Sequence, residues 1–225
     1  FGVYGVSFML VSMSSMIGFA FTSKSKKCKA ICLACILSIA GSGAMLGYVK
    51  WTKKTHHRPL SVAMLQMNIS ITDKWHLSNQ AKIVNDYESV SRKHFDSDLI
   101  VWPEGAIPAY LHQYQARLDQ LEEEANQHNS ALVAGIPIKT NNKSFNSIVG
   151  IGKASGIYKK RHLVPFGEYW PLLSLFEHAT RIFNLNVSMY SPGPEKQPPV
   201  QMNDTPIAPF ICYEITYPNL VRRAL

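Results

Sequence analysis

The sequence has few cysteines and no grouping of metal-ligand residues after residue 58. Of its 4 cysteines, Cys28, Cys32 and Cys35 lie in an apolar run, where we interpret them as small apolar residues of a membrane helix. Cys212 therefore has no partner in its own region, which excludes a disulfide framework. Because no His, Cys or Asp residues stand at ligand spacing there, the sequence predicts no metal and no organic cofactor.

Acidic residues are also scarce, with 15 Asp and Glu against 23 Lys and Arg and a net charge of +8. Such an excess would suggest a nucleic-acid ligand if basic and aromatic residues were interleaved on a surface helix, and they are not. The basic residues instead flank two apolar runs, at positions 24–29 and 50–58. Because cations beside apolar runs usually meet anionic lipid headgroups, we expect contact with membrane lipids and none with nucleic acid.

Charge is absent from two long runs, residues 3–21 and 30–49. Each is long enough to cross a hydrocarbon layer of about 30 Å as a helix. We therefore expect two transmembrane helices within residues 1–58, since a signal peptide or a buried core helix would not produce two such runs. The basic residues on the two flanks are balanced in number, so charge alone does not orient the chain in the membrane.

From residue 59 onward, the pattern changes to alternating strands and helices, which predicts an α/β layered fold. Residues 191–209 are rich in proline and are expected to form an irregular loop. The predicted strands cover residues 60–69, 98–102, 131–138, 145–152 and 207–213. The predicted amphipathic helices cover residues 77–95 and the segment around 114–125.

Three residues in this second part could carry chemistry together. Glu104 follows a predicted strand, Lys160 lies in a basic run and Cys212 ends an apolar strand. Taken singly, they fit a turn carboxylate, a solvated lysine and a small buried residue. Taken together, they supply a thiol nucleophile, a base for its proton and an ammonium that stabilises an oxyanion. This set suggests covalent acyl transfer on a cysteine.

The sequence segments around these residues are more specific than the residues themselves. Glu104 lies in WPEG, Lys160 in YKKRHLVPFGEY and Cys212 in ICYE. In this order they resemble the signature blocks of the apolipoprotein N-acyltransferases, a membrane-bound branch of the nitrilase superfamily. The resemblance implies a nitrilase-like α-β-β-α sandwich at residues 59–225, incomplete at its C-terminus, preceded by two transmembrane helices at residues 1–58.

The resemblance also implies a role for each matching residue. Glu104 matches the general base, Lys160 the catalytic lysine and Cys212 the nucleophile that becomes a thioester. The implied supporting residues are Glu168, Tyr213, Glu214 and Trp75, the last on the side from which lipid enters. One departure is Met67, which stands where the family usually has glycine.

The reaction implied by the resemblance is the last step of bacterial lipoprotein maturation. It moves a fatty acyl chain from a phospholipid to the N-terminal diacylglyceryl-cysteine of an apolipoprotein. The implied location is the cell inner membrane, as a multi-pass protein with its catalytic domain on the periplasmic side.

The chain begins at Phe1 and ends at Leu225, and the family pattern extends beyond both ends. We therefore expect a fragment that is inactive and poorly stable alone, cut from a parent acyltransferase. Two other interpretations stay open at this point. One is a membrane-tethered nitrilase-type amidase acting on small amides or nitriles, and the other is an inactive remnant or binding module.

Overall fold

In the computed structural model, residues 2–50, 59–171 and 190–224 are described, and the structural statements below concern these residues. The chain divides into two compact units. One comprises Phe1–Arg58 with Thr216–Arg223, and the other comprises Pro59–Ile215 with Ala224–Leu225. The second unit contains all the predicted site residues.

The first unit begins with two helices, α1 (Gly2–Thr22) and α2 (Lys26–Gly47). Both are long and apolar enough to cross a membrane, which confirms the prediction of two apolar helices. Helix α2 begins before the predicted residue 30 because the Ser25 side chain caps it, accepting a hydrogen bond from Cys28 N. Three lysines therefore fall in its first turn, where their long side chains can reach a headgroup layer. The predicted basic flank at 51–58 lies outside the described residues.

The remaining elements are four helices, a 3₁₀ helix and ten strands within the described residues. The helices are α3 (Ile71–Lys74), α4 (Leu77–Arg92), α5 (Leu111–Gln127) and α6 (Pro218–Ala224), with a 3₁₀ helix at Cys212–Thr216. The strands are β1 (Val62–Met64), β2 (Leu99–Val101), β3 (Ala131–Gly135), β4 (Ile138–Thr140), β5 (Lys143–Phe145), β6 (Ser147–Gly152), β7 (Ala154–Ser155), β8 (Ile157–Lys159), β9 (Val200–Met202) and β10 (Thr205–Ile207).

The main sheet has five strands in the order β1-β2-β3-β6-β8. Strands β1, β2 and β3 are parallel, β6 is antiparallel to β3, and β8 is antiparallel to β6. Strand β8 therefore runs in the direction of the first three strands. As a result, the carboxyl ends of β2 and β8 and the amino end of β6 lie at the same end of the sheet's strands.

Alternation along the strands gives the sheet two apolar faces. Ile100 and Leu132 belong to the core that includes the buried faces of α4 and α5. Their neighbours Leu99, Ala131 and Val133 belong to a second core on the opposite face, formed with the three-stranded sheet β10-β9-β7. These helix, sheet and sheet layers confirm the predicted α/β layering.

The predicted strand at 207–213 is wrong, because β10 ends at Ile207 and Cys212 begins a 3₁₀ helix. The predicted irregular loop at 191–209 contains the hairpin β9–β10, whose turn residue Asn203 has a φ of 49°. Asparagine tolerates this left-handed conformation, which suits a tight hairpin turn. The other predicted elements are present. Strands 60–69, 98–102, 131–138 and 145–152 and helix 77–95 have shorter bounds, whereas the helix predicted around 114–125 extends over Leu111–Gln127.

Candidate active site

A cluster of charged side chains lies at the end of the main sheet where β2 and β8 end and β6 begins. Glu104 follows β2, and Lys160 follows β8. The third member, Glu168, comes from the loop after Lys160. The parallel direction of β2 and β8 explains why two residues far apart in the sequence lie together.

Lys160 forms ion pairs with two carboxylates. Its Nζ lies 2.8 Å from Glu168 Oε2 and 3.3 Å from Glu104 Oε1, and its side chain is only 1% exposed. Burial lowers the pKa of Lys160, but the hydrogen bond to Glu168 and the charge of Glu104 raise it by more. Because the net pKa is above its ordinary value, the side chain is an ammonium at neutral pH.

Asn146 is a member of the site that sequence reasoning missed. It is buried between β5 and β6, and its Nδ2 donates to Glu104 Oε1 at 2.6 Å and to Glu168 Oε1 at 2.7 Å. Its main-chain oxygen accepts a hydrogen bond from Lys160 N at 2.8 Å. One amide therefore holds both carboxylates on either side of the lysine. The sequence signal was a polar residue directly before the apolar strand β6.

The Glu104 carboxylate has one engaged oxygen and one available oxygen. Oε1 receives the hydrogen bonds of Lys160 and Asn146, whereas Oε2 accepts none from any described residue. The Glu104 side chain is 40% exposed. Lys74 Nζ donates to the main-chain oxygen of Glu104 at 3.2 Å and so helps to fix the turn. Oε2 thus remains available to a group outside the described hydrogen bonds of the cluster.

Gly135, at the end of β3, allows this turn to approach the sheet closely. A Cβ atom added there would lie 2.3 Å from Pro103 O and 2.8 Å from Glu104 Cα, both main-chain atoms. Real Cβ contacts are not that short, so any side chain at this position must push the turn that carries Glu104 away from the sheet.

We expect Gly135→Ala to destabilise the second unit by about 1–3 kcal/mol, because overpacking against main chain cannot be relieved by a rotamer change. Thermal unfolding followed by circular dichroism measures this effect. Gly167→Ala is the matched control, since an added Cβ there would meet Val164 no closer than 3.8 Å. Equal melting temperatures for the two variants would contradict the argument.

Glu214 connects the lysine loop to the cysteine segment. It is fully buried, and its carboxylate accepts hydrogen bonds from Arg161 N at 2.7 Å, His162 N at 3.1 Å and Ile211 N at 2.9 Å. The Tyr158 hydroxyl donates to it as well. Burial, together with the charge of Glu214, raises the pKa of Tyr158 well above its ordinary range, so this hydroxyl stays a donor.

Cys212 is exposed and adopts a left-handed φ of 54° at the start of the 3₁₀ helix. Within the described residues, no hydrogen bond joins Cys212 to Glu104 or Lys160. Its segment is instead linked to the lysine loop through Glu214. The structure thus brings Glu104, Lys160 and Glu168 into direct contact and places Cys212 next to the residue that anchors their loop.

The last two predicted site residues are largely exposed: Tyr213 is 53% exposed and Trp75 is 54% exposed. Trp75 lines a cavity of about 580 Å³. The other described residues lining the cavity are Leu77, Gln80, Pro108, Ala109, Tyr110, Gln113, Pro137, Gly167 and Tyr190. Among the described residues, no group of three or more His, Cys, Asp or Glu side chains could hold a metal ion.

Comparisons with known proteins show which family the second unit resembles. The family profile described as carbon-nitrogen hydrolase matches residues 61–225. An apolipoprotein N-acyltransferase of Coxiella burnetii is 40% identical over 98% of this chain and 46% of its own length. One from Pseudomonas putida is 37% identical over 84% of this chain and 38% of its own length. The chain thus spans less than half the length of these relatives, and the resemblance predicted from the sequence is confirmed.

Among solved structures, a carbon-nitrogen hydrolase from Helicobacter pylori G27 aligns with a TM-score of 0.49 and 20% identity, covering 73% of this chain and 55% of that one.

Proposed function

The chain belongs to the carbon-nitrogen hydrolase family, and we propose that it carries the acyl-transfer site of an apolipoprotein N-acyltransferase. The observation that carries this proposal is the buried contact of Lys160 with both Glu104 and Glu168. The name shared by its relatives supports the same activity. The proposed acyl donor is a membrane phospholipid, and the proposed acceptor is the N-terminal diacylglyceryl-cysteine of an apolipoprotein.

In the first half-reaction, the Cys212 thiol gives its proton to Glu104, and the sulfur attacks an ester carbonyl carbon of the phospholipid. The carbonyl electron pair moves to its oxygen, and the Lys160 ammonium stabilises the resulting oxyanion. Collapse of this intermediate breaks the bond to the glycerol oxygen, which takes the proton from Glu104. A lysophospholipid leaves, and a thioester remains on Cys212.

In the second half-reaction, the acceptor's amine attacks the thioester carbonyl and forms an amide. The amine proton passes through Glu104 to the departing sulfur, which regenerates the Cys212 thiol. Glu168 and Asn146 hold the lysine and the base in place throughout. Glu214 positions the cysteine segment, while Tyr213 and Trp75 are proposed to contact the lipid substrates.

The two apolar helices support a membrane location, because each has the length and composition to cross the hydrocarbon layer. The proposed location is the inner membrane, as part of a multi-pass protein with the second unit on the periplasmic side. There the phospholipid donor would be present at high local concentration beside the site.

The experiment that tests the function follows the acyl group to Cys212. The protein, produced from its complete reading frame, is mixed with vesicles of a phospholipid bearing a labelled acyl chain, and its intact mass is measured. We expect one acyl adduct that hydroxylamine removes, as a thioester requires. Cys212→Ala should abolish the adduct, while Cys28→Ala, in α2, should keep it.

Three outcomes would overturn the proposal. One is an adduct that persists in Cys212→Ala. Another is a wild-type protein, produced from its complete reading frame, that takes up no acyl group. A third is hydrolysis of small amides without transfer from phospholipid, which would favour the membrane-tethered amidase instead.

A further inference from the structure

The cavity beside the charged cluster has the walls of a lipid site. None of the described side chains that line it is charged, and most are apolar or aromatic. At its rim Trp75 is 54% exposed and Leu77 is 83% exposed, so apolar surface continues out of the cavity. Phosphate and ammonium headgroups need an opposite charge or several hydrogen bonds when they lose water. The cavity therefore suits the uncharged part of an amphipathic ligand.

Two tyrosines line this cavity, and their hydroxyls differ in the hydrogen bonds they form with the described residues. The Tyr190 hydroxyl accepts or donates no hydrogen bond within the described residues, whereas the Tyr110 hydroxyl shares one with Ser144 Oγ at 2.9 Å. Burial, with nearby Tyr110, Glu168 and Glu104, raises the pKa of Tyr190 to about 12. The Tyr190 hydroxyl is therefore a neutral donor across the physiological range.

Tyr190 is also tied to the charged cluster. Its main-chain N donates to Glu168 O at 2.9 Å, and its segment pairs with Ser144. A ligand that reaches Tyr190 is thus held beside the loop that presents Glu168 to Lys160. Gly167, the residue before Glu168, lines the same cavity.

We propose that this cavity binds the glycerol-ester part of a diacyl lipid, and that the Tyr190 hydroxyl donates a hydrogen bond to a carbonyl oxygen of an ester that does not react. The inference rests on the proposed function and names the part of the substrate that the cavity recognises. A phospholipid donor and a diacylglyceryl-cysteine acceptor share this ester chemistry. An ether-linked lipid has the same chains but offers no carbonyl oxygen.

The test measures binding without turnover, in the full chain carrying Cys212→Ala. A lipid with a fluorescent acyl chain is bound in detergent micelles and displaced by dioleoyl phosphatidylglycerol or by its diether analogue. The diester should bind about threefold to tenfold more tightly, as expected for one neutral hydrogen bond. Adding Tyr190→Phe should erase this preference, while Tyr114→Phe, a tyrosine packed against the helix-side core, should keep it.

A synthetic diacylglyceryl-cysteine peptide and its diether form, used as competitors, show which lipid source occupies the site. An ester preference with either lipid supports the proposal, and the lipid that shows it is the occupant. Equal binding of diester and diether forms of both lipids would overturn it, as would an ester preference that survives Tyr190→Phe. If the Tyr190→Phe variant does not fold, Tyr190→Leu, which also lacks the hydroxyl, replaces it in the same comparison. This binding assay uses the Cys212→Ala variant and forms no thioester. A negative binding result is therefore distinct from a failure to acylate Cys212, which tests the proposed function.

Discussion

Replacing Lys160 with methionine should slow acylation of Cys212 by about a hundredfold to a thousandfold, the effect of removing one well-aimed oxyanion donor. Methionine keeps the length of the side chain but has no ammonium to face the developing charge. The loss should appear as a lower rate constant for adduct formation at saturating phospholipid. This constant is measured by following the intact mass of the protein over time.

Lys159→Met is the matched control. The Lys159 side chain belongs to the same basic run, but its Nζ lies 4.3 Å from the centre of the Phe145 ring and outside the cluster. We expect less than a twofold change in acylation for this variant. Lys160→Arg should not restore the wild-type rate, because a planar guanidinium does not fit a site built for a compact ammonium. Equal rates for the two methionine variants would exclude Lys160 from the chemistry.

The same substitution should also change how stability depends on pH. The folded-state pKa of Lys160 is raised, so its ammonium contributes fully below the unfolded pKa of about 10.4, and this contribution is lost as pH rises through the folded value. In Lys160→Met this contribution is absent at every pH, and Glu104 and Glu168 lose their ion-pair partner. The variant should therefore lose roughly 2–4 kcal/mol relative to the wild type at pH 8, and the difference should shrink as the pH rises above about 10.4 and the wild-type lysine loses its proton. Thermal unfolding of both proteins at pH 8 and at increasing alkaline pH tests this; a difference that stays constant would contradict it.

The position of Glu104 could be predicted because it follows the predicted strand at 98–102. Carboxyl ends of strands that run in the same direction lie at the same end of a sheet, and polar residues there face a crevice. Strand β8, which precedes Lys160, was not predicted. Lys160 and Glu168 were therefore placed with Glu104 only through the resemblance carried by the segments WPEG and LVPFGEY.

Asn146 could not be predicted because its role depends on register. Ser147 pairs with Lys159, so Asn146 and Lys160 lie opposite each other just beyond the ladder. A slip of one residue would turn the amide to the other face of the sheet. Nothing in the sequence of β6 or β8 alone fixes this pairing, which is set by the packing of the whole sheet.

The conformation of Cys212 was also missed, because a hydrogen bond from Ile211 N to the buried Glu214 carboxylate outweighs the strand-like composition. The apolar segment at 207–211 has the composition of a strand, yet Ile211 N is hydrogen-bonded to the Glu214 carboxylate instead of to a neighbouring strand. This contact turns the chain into the 3₁₀ helix at Cys212–Thr216. The position of the sulfur therefore depends on a buried carboxylate two residues away.

Glu214→Gln should accordingly destabilise the second unit by about 2–4 kcal/mol, although the side chain keeps its shape. The carboxylate accepts hydrogen bonds with both oxygens, and an amide can accept with only one. Its NH₂ group would then face either Ile211 N or the N–H groups of Arg161 and His162. The backbone N–H groups that face this NH₂ group would lose a charge-assisted hydrogen bond. Because they are buried, water cannot replace that bond.

In the Glu214→Gln variant, the rate of Cys212 acylation should fall about tenfold or more, even after correction for the folded fraction. The reason is that the lysine loop and the cysteine segment lose their common anchor. Circular dichroism melting and intact-mass acylation, both at a temperature where the variant is folded, separate the two effects. Glu123→Gln, on the exposed face of α5, should change stability by less than about 0.5 kcal/mol. If Glu214→Gln were folded normally and acylated at the wild-type rate, the carboxylate would not be what positions the nucleophile.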